Sequence, residues 1–551
     1  MIVSGVVGGR GGKFGVMANA PTGSRAGAGI AAAAVGLGVA QLLATFFSPA
    51  ADVRTSVGTA VVNLTPGPVK EWAIQTFGTA DKLFLSVMVL VVIAAVAALT
   101  ARWERSRIPL GSLAILAGGA AGGAAVLARP GAGLADLIPT LAAVGSAIAV
   151  LRVLTSGRFS DRGSRVDGAD GVETVDGVDR ADAVGRVDGA DAVDTVDGGR
   201  RLSLVTLGLT AAGVASGVGG VLLNRKVRSV SGDRDALALP TPSAVPAPPP
   251  ADVTPKGVAL PSFITSNSDF YRIDTALSVP QVSRADWRLR IHGMVDKEVT
   301  FSFQDLQRFE PVEKTVTLTC VSNPVGGELI SNATWVGYRV RDLLREAGIA
   351  SDADMVLSSS IDGWNAGTPV QALTDDRDAL LAIGMNGVPL PVEHGYPARL
   401  VVPGLYGYVS ATKWVTDLEL TRFDKTEAYW TKLGWSAKGP IKTQSRVDVP
   451  RNGQKIDAGP TTFGGVAWAQ HRGIKAVEVR IDDGPWQQAQ LGASYSNDTW
   501  RLWSFPWNAT PGAHTAAVRA TDNTGAVQTG DQMGVIPDGA TGWHTVSFDV
   551  K

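Results

Sequence analysis

The sequence has only one cysteine, Cys320, among 551 residues. A lone thiol cannot form an internal disulfide, so this side chain is available for core packing, nucleophilic chemistry or metal ligation. Histidine is also scarce: there are five, the first being His292. The net charge of −1 provides no global basic field of the kind that attracts nucleic acid, so we expect no nucleic-acid partner. Cys320 and all five histidines therefore lie in the second half of the chain.

The residues around Cys320 suggest a ligand site. Alternating β-branched residues at 314–319 predict a strand, and Pro324, Gly326 and Gly327 predict a loop after it. A soft thiolate at a strand end, followed by glycines that let the backbone approach a ligand, suits a metal cofactor. A single cysteine is more often a small buried apolar residue, and spacing alone leaves both interpretations open.

The first 230 residues are rich in Ala, Gly, Val and Leu and contain no histidine. Five apolar stretches there are long enough to cross a membrane, at 26–47, 83–100, 110–127, 134–154 and 202–223. Flanking Lys and Arg residues place the N-terminus in the cytoplasm and everything after residue 224 outside. The lack of histidine argues against a transmembrane b-type haem, whose axial ligands are normally histidines. We therefore predict a multi-pass cell-membrane protein that contacts lipid.

Arg200 and Arg201 immediately precede the fifth stretch, which is only weakly apolar. This arrangement resembles a twin-arginine export signal placed inside the chain. The alternative is an ordinary pair of cytoplasmic arginines. Arg225, Lys226 and Arg228 on the outer side contradict the positive-inside rule, and this favours the export signal.

Composition divides the chain into segments that differ in their predicted structure. They are a flexible N-terminus (1–25), four transmembrane helices (26–155), an acidic low-complexity cytoplasmic loop (156–201), a fifth transmembrane helix with the export signal (202–224), a Pro-rich linker (225–257), an α+β domain (258–440) and an immunoglobulin-like β-sandwich (441–551). The prolines between 239 and 255 predict a stiff spacer that lifts the next domain off the membrane.

Charged residues in the α+β domain form candidate anion-binding motifs. Arg272, Arg399 and Lys413 could bind a phosphate or another oxyanion, and Ser410 would add a neutral donor. Considered singly, such residues are commonly solvated surface charges. His394 belongs to the run His-Gly-Tyr-Pro-Ala-Arg, which makes it more than an isolated histidine.

Together these motifs resemble the sulfite oxidase family of molybdopterin oxidoreductases, over about 258–551. The matching pieces are Thr-Leu-Thr-Cys320-Val-Ser-Asn, Asn332-Ala-Thr-Trp335-Val-Gly337, His394-Gly-Tyr-Pro-Ala-Arg399, Pro403-Gly, Ser410-Ala-Thr-Lys413-Trp414, Ser445-Arg446-Val-Asp448-Val-Pro450, Gly465-Val-Ala-Trp468, Gly473-Ile-Lys-Ala-Val-Glu478-Val and Trp486. The last three resemble the dimerisation domain of that family, which implies a homodimer through 441–551.

The resemblance implies a molybdenum–molybdopterin cofactor, with the Cys320 thiolate as a ligand of the metal. It also implies a set of residues that hold the pterin and its phosphate: Tyr271, Arg272, Asp362, His394, Arg399, Ser410 and Lys413. Arg272 is in addition a candidate catalytic residue, because a cation near the open site would stabilise charge developing on an oxyanion. The implied reaction is a two-electron oxygen-atom transfer involving a small oxyanion or oxo compound.

Some features depart from the family pattern. The 551 residues contain no haem-binding Cys-x-x-Cys-His run, so electrons would pass to a separate carrier, either a cytochrome or a quinone-linked partner. The active-site tyrosine of sulfite oxidases has no match, and Tyr429-Trp430 and Gly434-Trp435 occupy that region instead. Phe270-Tyr271 is closer to periplasmic relatives that reduce sulfoxides. Two alternatives therefore stand beside sulfite-type oxidation: a sulfoxide reductase on the same cofactor, and a non-catalytic envelope protein that binds a partner.

Overall fold

The structure is a computed structural model that describes residues 22–77, 81–104, 109–156 and 191–551. It divides into two compact units, one formed by Met1–Val61 with Lys82–Val227 and the other by Val62–Asp81 with Arg228–Lys551. The segment between the first two apolar helices therefore packs with the C-terminal half. Most of the N-terminus predicted to be flexible and most of the predicted acidic loop lie outside the described residues.

The first unit is helical. The helices from the N-terminus to the end of the fifth apolar stretch are α1 (Thr22–Ala44), α2 (Val53–Leu64), α3 (Gly67–Phe77), α4 (Asp81–Ala101), α5 (Leu110–Leu127), α6 (Ile138–Thr155) and α7 (Asp191–Arg228), of which α3 belongs to the second unit. Five segments of the described chain are long and apolar enough to span a membrane: Ser24–Ala44, Lys82–Ala101, Leu110–Leu127, Leu134–Thr155 and Arg200–Asp235. Each overlaps a predicted stretch.

Small residues let these helices approach closely. A Cβ added at Gly36 of α1 would lie 3.0 Å from the carbonyl oxygen of Ala143 in α6, so the two backbones are almost in contact. Helix α7 begins at Asp191, so the last residues of the predicted loop are helical. Adding residues to a helix that already exists costs little, which explains this extension. Arg200 and Arg201 accordingly lie within this helix.

The second unit begins with an α+β module. Its helices are α8 (Ser231–Asp235), α9 (Val340–Ala347) and α10 (Val370–Thr374), and its strands are β1 (Arg288–Gly293), β2 (Val299–Ser302), β3 (Pro311–Thr319), β4 (Ile330–Arg339), β5 (Met355–Ser360), β6 (Asn365–Pro369), β7 (Leu380–Met385), β8 (Val388–Pro389), β9 (Arg399–Val401) and β10 (Val415–Thr421). One sheet has the order β2-β1-β10-β5-β6, and the other has the order β3-β4-β7-β8, with β9 paired to β7. The helix predicted at 339–347 forms as α9, with Val340, Leu343 and Leu344 buried on one face.

The remaining chain is a β-rich module. Its strands are β11 (Gln444–Val449), β12 (Gln454–Ile456), β13 (Gly459–Trp468), β14 (Ile474–Ile481), β15 (Gln487–Gln488), β16 (Gln490–Leu491), β17 (Arg501–Ala509), β18 (Gly512–Asp522) and β19 (His544–Val550). They form two sheets, ordered β11-β13-β17-β16 and β12-β19-β18-β14-β15. Phe463 and Trp503 from the first sheet share one core with Val518 and Phe548 from the second. The immunoglobulin-like topology remains a prediction.

The Pro-rich linker makes contacts with the folded modules, and its predicted role as a spacer that lifts the next domain off the membrane remains a prediction. Arg234 donates to the carbonyl oxygens of Pro389 and Leu390, both at 2.9 Å. Further along, the carbonyl oxygen of Ala247 accepts from the Tyr495 hydroxyl at 2.9 Å. Proline lacks the N–H donor but leaves its neighbours' carbonyls available, so an extended segment can still dock on a folded surface.

Strand β3 joins the two modules. Val316 and Leu318 point into an apolar core, whereas the alternate threonines are equally buried. The Thr317 hydroxyl donates to Asn332 Oδ1 at 2.9 Å and accepts from the Trp500 backbone N–H at 2.8 Å. The polar face of this strand is therefore covered by the β-rich module instead of by water, and this fixes the strand that leads to Cys320.

Candidate active site

Cys320 follows the last residue of β3 and is half-buried. Its backbone N–H donates to the Leu329 carbonyl at 3.0 Å, and its carbonyl accepts from Asn323 at 3.1 Å. The strand end and the first turn of the loop are thus both hydrogen-bonded. The thiol is held at a defined point, as a metal ligand requires.

A cluster of cationic residues forms around Gly395. This glycine has φ +114°, and a Cβ there would lie 3.0 Å from Arg399 Cβ and 3.2 Å from Lys413 Cβ. Glycine is therefore needed both for the backbone conformation and for the space. It lets the chain turn after His394 so that this residue, Arg399 and Lys413 lie together.

Arg399 is 3% exposed, and its hydrogen-bond partners in the described part of the chain are backbone carbonyls. Its guanidinium donates to the carbonyls of His394 at 3.2 Å and Ala411 at 3.4 Å, and lies 5.1 Å from the ring centre of Trp335. None of the ion pairs found among the described residues involves it. Burial lowers the pKa of Arg399 to about 10, against a smaller opposing effect of Tyr271. A buried cation without a carboxylate partner is suited to receive an anion.

His394 is 2% exposed, and its two ring nitrogens have different environments. Nε2 lies 3.1 Å from the Asn267 carbonyl oxygen, to which it can only donate, whereas buried Nδ1 has no hydrogen-bond partner among the residues that the structure describes. Burial, and then the charges of Lys413 and Arg399, lower the pKa of His394 to about 3. The ring is therefore neutral and leaves one buried acceptor for a donor outside the protein.

Lys413 lies beside the same cluster. Its Nζ donates to Asp274 Oδ2 at 2.9 Å and to the Glu393 carbonyl at 3.2 Å. Burial lowers its pKa to about 8, and Asp274 partly opposes that shift. Arg272 donates to the same Asp274 oxygen at 3.0 Å, while its side chain is 36% exposed. One carboxylate thus holds two cations, one buried and one at the surface.

Tyr271 connects the cationic cluster to Cys320. Burial and then the charge of Cys320 raise the pKa of Tyr271, and Arg399 opposes them. The loop after β9 lies beside its ring, because a Cβ at Gly407 would lie 4.0 Å from the Tyr271 hydroxyl and 3.9 Å from the Thr319 carbonyl oxygen. The Ser410 hydroxyl donates to the Tyr406 carbonyl at 2.9 Å, so it closes this loop and keeps only acceptor capacity.

Asp362 lies apart from these contacts. Its carboxylate accepts from the Trp364 backbone N–H at 3.1 Å and so closes the turn between β5 and β6. Only the neighbouring Ile361 reaches the cluster, through a 3.1 Å hydrogen bond to the Trp414 carbonyl. Six of the seven predicted cofactor residues therefore surround one region, while Asp362 closes its own turn and, after burial, its charge raises the pKa of Tyr429.

The β-rich module supports the Cys320 loop from the other side. Gln470 donates to the Thr317 carbonyl at 3.0 Å and to the Thr319 hydroxyl at 2.9 Å. Arg446 donates to the Gly327 carbonyl at 2.7 Å, and His544 lies against Gly326. Residues from a separate module thus fix both the strand before the thiol and the loop after it.

Two contributors were not among the predicted site residues. Asp274 binds both Lys413 and Arg272, and Trp335 lies under Arg399. Asp274 follows Arg272 by two positions, a spacing common on surfaces and therefore uninformative alone. Trp335 stands in the Asn-Ala-Thr-Trp motif, which could have indicated it.

The residue set fits a molybdopterin group. A buried guanidinium and a buried ammonium suit its phosphate, the unpartnered Nδ1 of His394 suits an N–H of the pterin ring, and the Cys320 thiolate suits the metal. A molybdenum cofactor would supply two-electron oxygen-atom chemistry here. Among Arg272, Arg399 and Lys413, Arg272 is the most exposed cation.

Comparison with known proteins agrees with this interpretation. The family of the oxidoreductase molybdopterin binding domain matches residues 276–430. The chain is 32% identical over 153 residues to the uncharacterized oxidoreductase YuiH of Bacillus subtilis, covering 28% of this chain and 74% of that protein. It is 29% identical over 291 residues to human mitochondrial sulfite oxidase, covering 44% and 53% of the two chains. A crystal structure of the sulfane dehydrogenase SoxCD from Paracoccus pantotrophus is 27% identical over 49% of this chain and 75% of that one, with a TM-score of 0.43.

The fold and the site define a molybdopterin-binding oxidoreductase. The chain belongs to the sulfite oxidase family of these enzymes, and the cofactor of the family is molybdenum bound to molybdopterin. It spans about half the length of the sulfite oxidases that it matches.

Proposed function

We propose that this chain is a membrane-anchored molybdenum enzyme that transfers an oxygen atom in a two-electron step, with its site outside the cytoplasm. One observation carries the proposal: buried Arg399 and Lys413 converge with neutral His394 beside the strand that ends at Cys320. Lys413 is paired with Asp274, whereas Arg399 forms no ion pair among the described residues, and a buried charge of this kind is costly unless a bound anion completes it.

In this proposal the residues of the chain have separate tasks. Arg399 and Lys413 bind the cofactor phosphate, His394 orients the pterin, and Cys320 ligates the metal. Arg272 attracts an anionic substrate and stabilises charge that develops on its oxygen. Asp274 accepts from both Arg272 and Lys413 and so holds these two cations close together. Electrons leave to a separate carrier, and two copies of the chain associate through 441–551.

The topology supports an extracytoplasmic site. Between α3 and the α+β module the chain contains four helices that would each cross the membrane: α4, α5, α6 and α7. After four crossings the α+β module is on the same side of the membrane as α3. Lys70 of α3 donates to the Tyr429 hydroxyl at 2.8 Å, a contact that requires both to be on one side. The positive-inside rule makes that side the outer one. The twin-arginine-like signal suits such a domain, because a pterin must be inserted before a folded passenger is exported.

Metal analysis and turnover test the proposal. Purified wild-type protein should contain molybdenum and pterin in stoichiometric amounts, and Cys320→Ser should lose the metal. Sulfite oxidation and sulfoxide reduction, each measured with artificial electron carriers, then decide the direction of the reaction. Wild-type protein that accumulates with neither metal nor pterin, in a host that makes the cofactor, would favour the non-catalytic binding protein.

A further inference from the structure

Helix α3 lies in the chain between the first two apolar helices, yet it packs with the α+β module. Lys70 is the central contact. Its Nζ donates to the Tyr429 hydroxyl at 2.8 Å and lies 4.9 Å from the Tyr429 ring centre and 5.8 Å from that of Trp430. Lys70 is only 8% exposed, and burial lowers its pKa. At the start of the helix, a Cβ at Gly67 would lie 3.1 Å from the Leu433 carbonyl oxygen.

The contacted segment leads back to the active site through aromatic rings. Tyr429 and Trp430 are 5.2 Å apart between ring centres, Trp430 and Trp435 6.1 Å, and Trp435 and Tyr408 5.8 Å. Tyr408 also donates to the Ser436 carbonyl at 2.7 Å. Tyr408 belongs to the loop at 406–410 that passes beside Tyr271. Displacing the 429–435 segment would therefore displace the loop that borders the cofactor site.

Two exposed apolar side chains, Val69 and Trp72, lie on another side of α3. Val69 is 49% exposed and Trp72 is 56% exposed, and these two residues share a helix face three positions apart. Phe77 packs edge-on against Trp72 at 5.7 Å between ring centres. The strongly apolar segment Lys82–Ala101 begins only a few residues later in the chain. Tryptophan is enriched at the membrane–water interface because its ring is amphipathic.

We propose that α3 is an interfacial strap: its Val69–Trp72 face lies in the lipid surface, while Lys70 holds the 429–435 segment and so positions the active-site loop. Lys70 is a positioning residue and does not touch the substrate. The lipid half of the proposal rests on the membrane anchoring proposed above, whereas the Lys70 contact does not.

Engineered cysteines test the contact in the full-length protein. The Cβ of Gly67 would lie 3.7 Å from Leu433 Cβ, close to the roughly 3.8 Å found in disulfides. Gly67→Cys with Leu433→Cys should form a disulfide under mild oxidation, read as a mobility shift that a reductant reverses. Leu64→Cys with Leu433→Cys is the control, because Leu64 is 85% exposed. Equal cross-linking of both pairs, or none in the first, would overturn the contact.

Hydrogen exchange tests the positioning role without relying on turnover. Lys70→Met should raise amide exchange in 429–435 several-fold, and Lys70→Arg, which keeps the charge and donors, should restore protection. Lys432→Met removes an exposed charge from the same segment and should have no effect. Unchanged exchange in Lys70→Met would refute the role of Lys70, even if the double-cysteine variant does not accumulate.

Brominated phospholipid in nanodiscs tests the lipid face, because bromine quenches only nearby tryptophan. Trp72→Phe should lower the quenched share of emission, whereas Trp486→Phe, in the β-rich module, should not. Equal quenching of wild type and Trp72→Phe would reject the lipid contact. Protein that needs no detergent to stay soluble, while still forming the 67–433 disulfide, would reject the membrane anchoring and leave the strap contact intact.

Discussion

Replacing Arg399 with methionine gives the most decisive test of the site, because its effects on the unloaded and the loaded protein differ. Lowering the pKa of this guanidinium from 12.5 to about 10 corresponds to a cost of about 3 kcal/mol for keeping it charged in the unloaded fold. Arg399→Met removes that cost but leaves three carbonyl acceptors without their donor, at about 1 kcal/mol each. The two effects nearly cancel.

We therefore expect Arg399→Met to change the melting temperature of cofactor-free protein by no more than a few degrees. In wild type a bound phosphate compensates the buried charge, so loading should stabilise the fold by at least about 3 kcal/mol, or roughly 6 °C. The variant should show little of this gain and retain little pterin. The melting temperature of the unloaded protein and its increase on loading are both measured by thermal unfolding, with protein made in cofactor-deficient and cofactor-competent hosts.

Arg339→Met is the matched control, because Arg339 pairs with Glu310 at 3.0 Å and Asp378 at 3.1 Å, away from the cluster. It should keep the cofactor and the full stabilisation on loading. If Arg399→Met retained wild-type pterin content and gained as much on loading as wild type, Arg399 could not be the phosphate ligand.

Three further expectations follow from the site, and a fourth follows from the arginine pair in the sequence. Cys320→Ser should retain pterin but lose molybdenum, measured by elemental analysis beside pterin fluorescence, and full metal content would contradict the thiolate assignment. The pKa of Lys413 is about 8 in the fold against 10.5 unfolded, so between these pH values the unfolded chain binds more protons and the stability of unloaded protein should rise with pH. Over the same range wild-type pterin uptake should fall while Lys413→Arg, which stays charged, keeps it; parallel uptake curves would contradict the role of the charge. Arg200→Lys with Arg201→Lys should block export of the C-terminal half, measured by protease access from outside, and normal export would refute the signal.

The sequence allowed prediction of those elements whose signals are local. Helix α9 has its apolar residues at helical spacing and ends at Gly348, and both features are readable without the fold. The His-Gly-Tyr-Pro-Ala-Arg run was informative because the glycine and both candidate site residues lie within six positions. In both cases the residues that carry the signal are neighbours in the chain. The sequence therefore identifies them, and the tertiary structure adds only where they lie in space.

Features that depend on long-range contacts could not be predicted in this way. The threonines of β3 alternate with apolar residues as they would in a half-solvated strand, but Trp500 and Gln470 bury them from another module. The prolines of the linker predicted a spacer because composition reports stiffness and not what a stiff segment touches. Lys70 is 359 positions from Tyr429, and nothing near either residue indicates the other.

The proposed extracytoplasmic location of the site would explain why the chain has only one cysteine. In an oxidising compartment, a second thiol near Cys320 could form a disulfide with it and remove the thiolate that the metal needs. A chain with one cysteine has no internal competitor, and a half-buried thiol at a fixed strand end is shielded in part from thiols of other proteins. We therefore expect a second cysteine within disulfide reach of Cys320 to lower molybdenum content in exported protein, but not in protein retained in the cytoplasm. Equal loss in both compartments would show that the scarcity has no connection with redox environment.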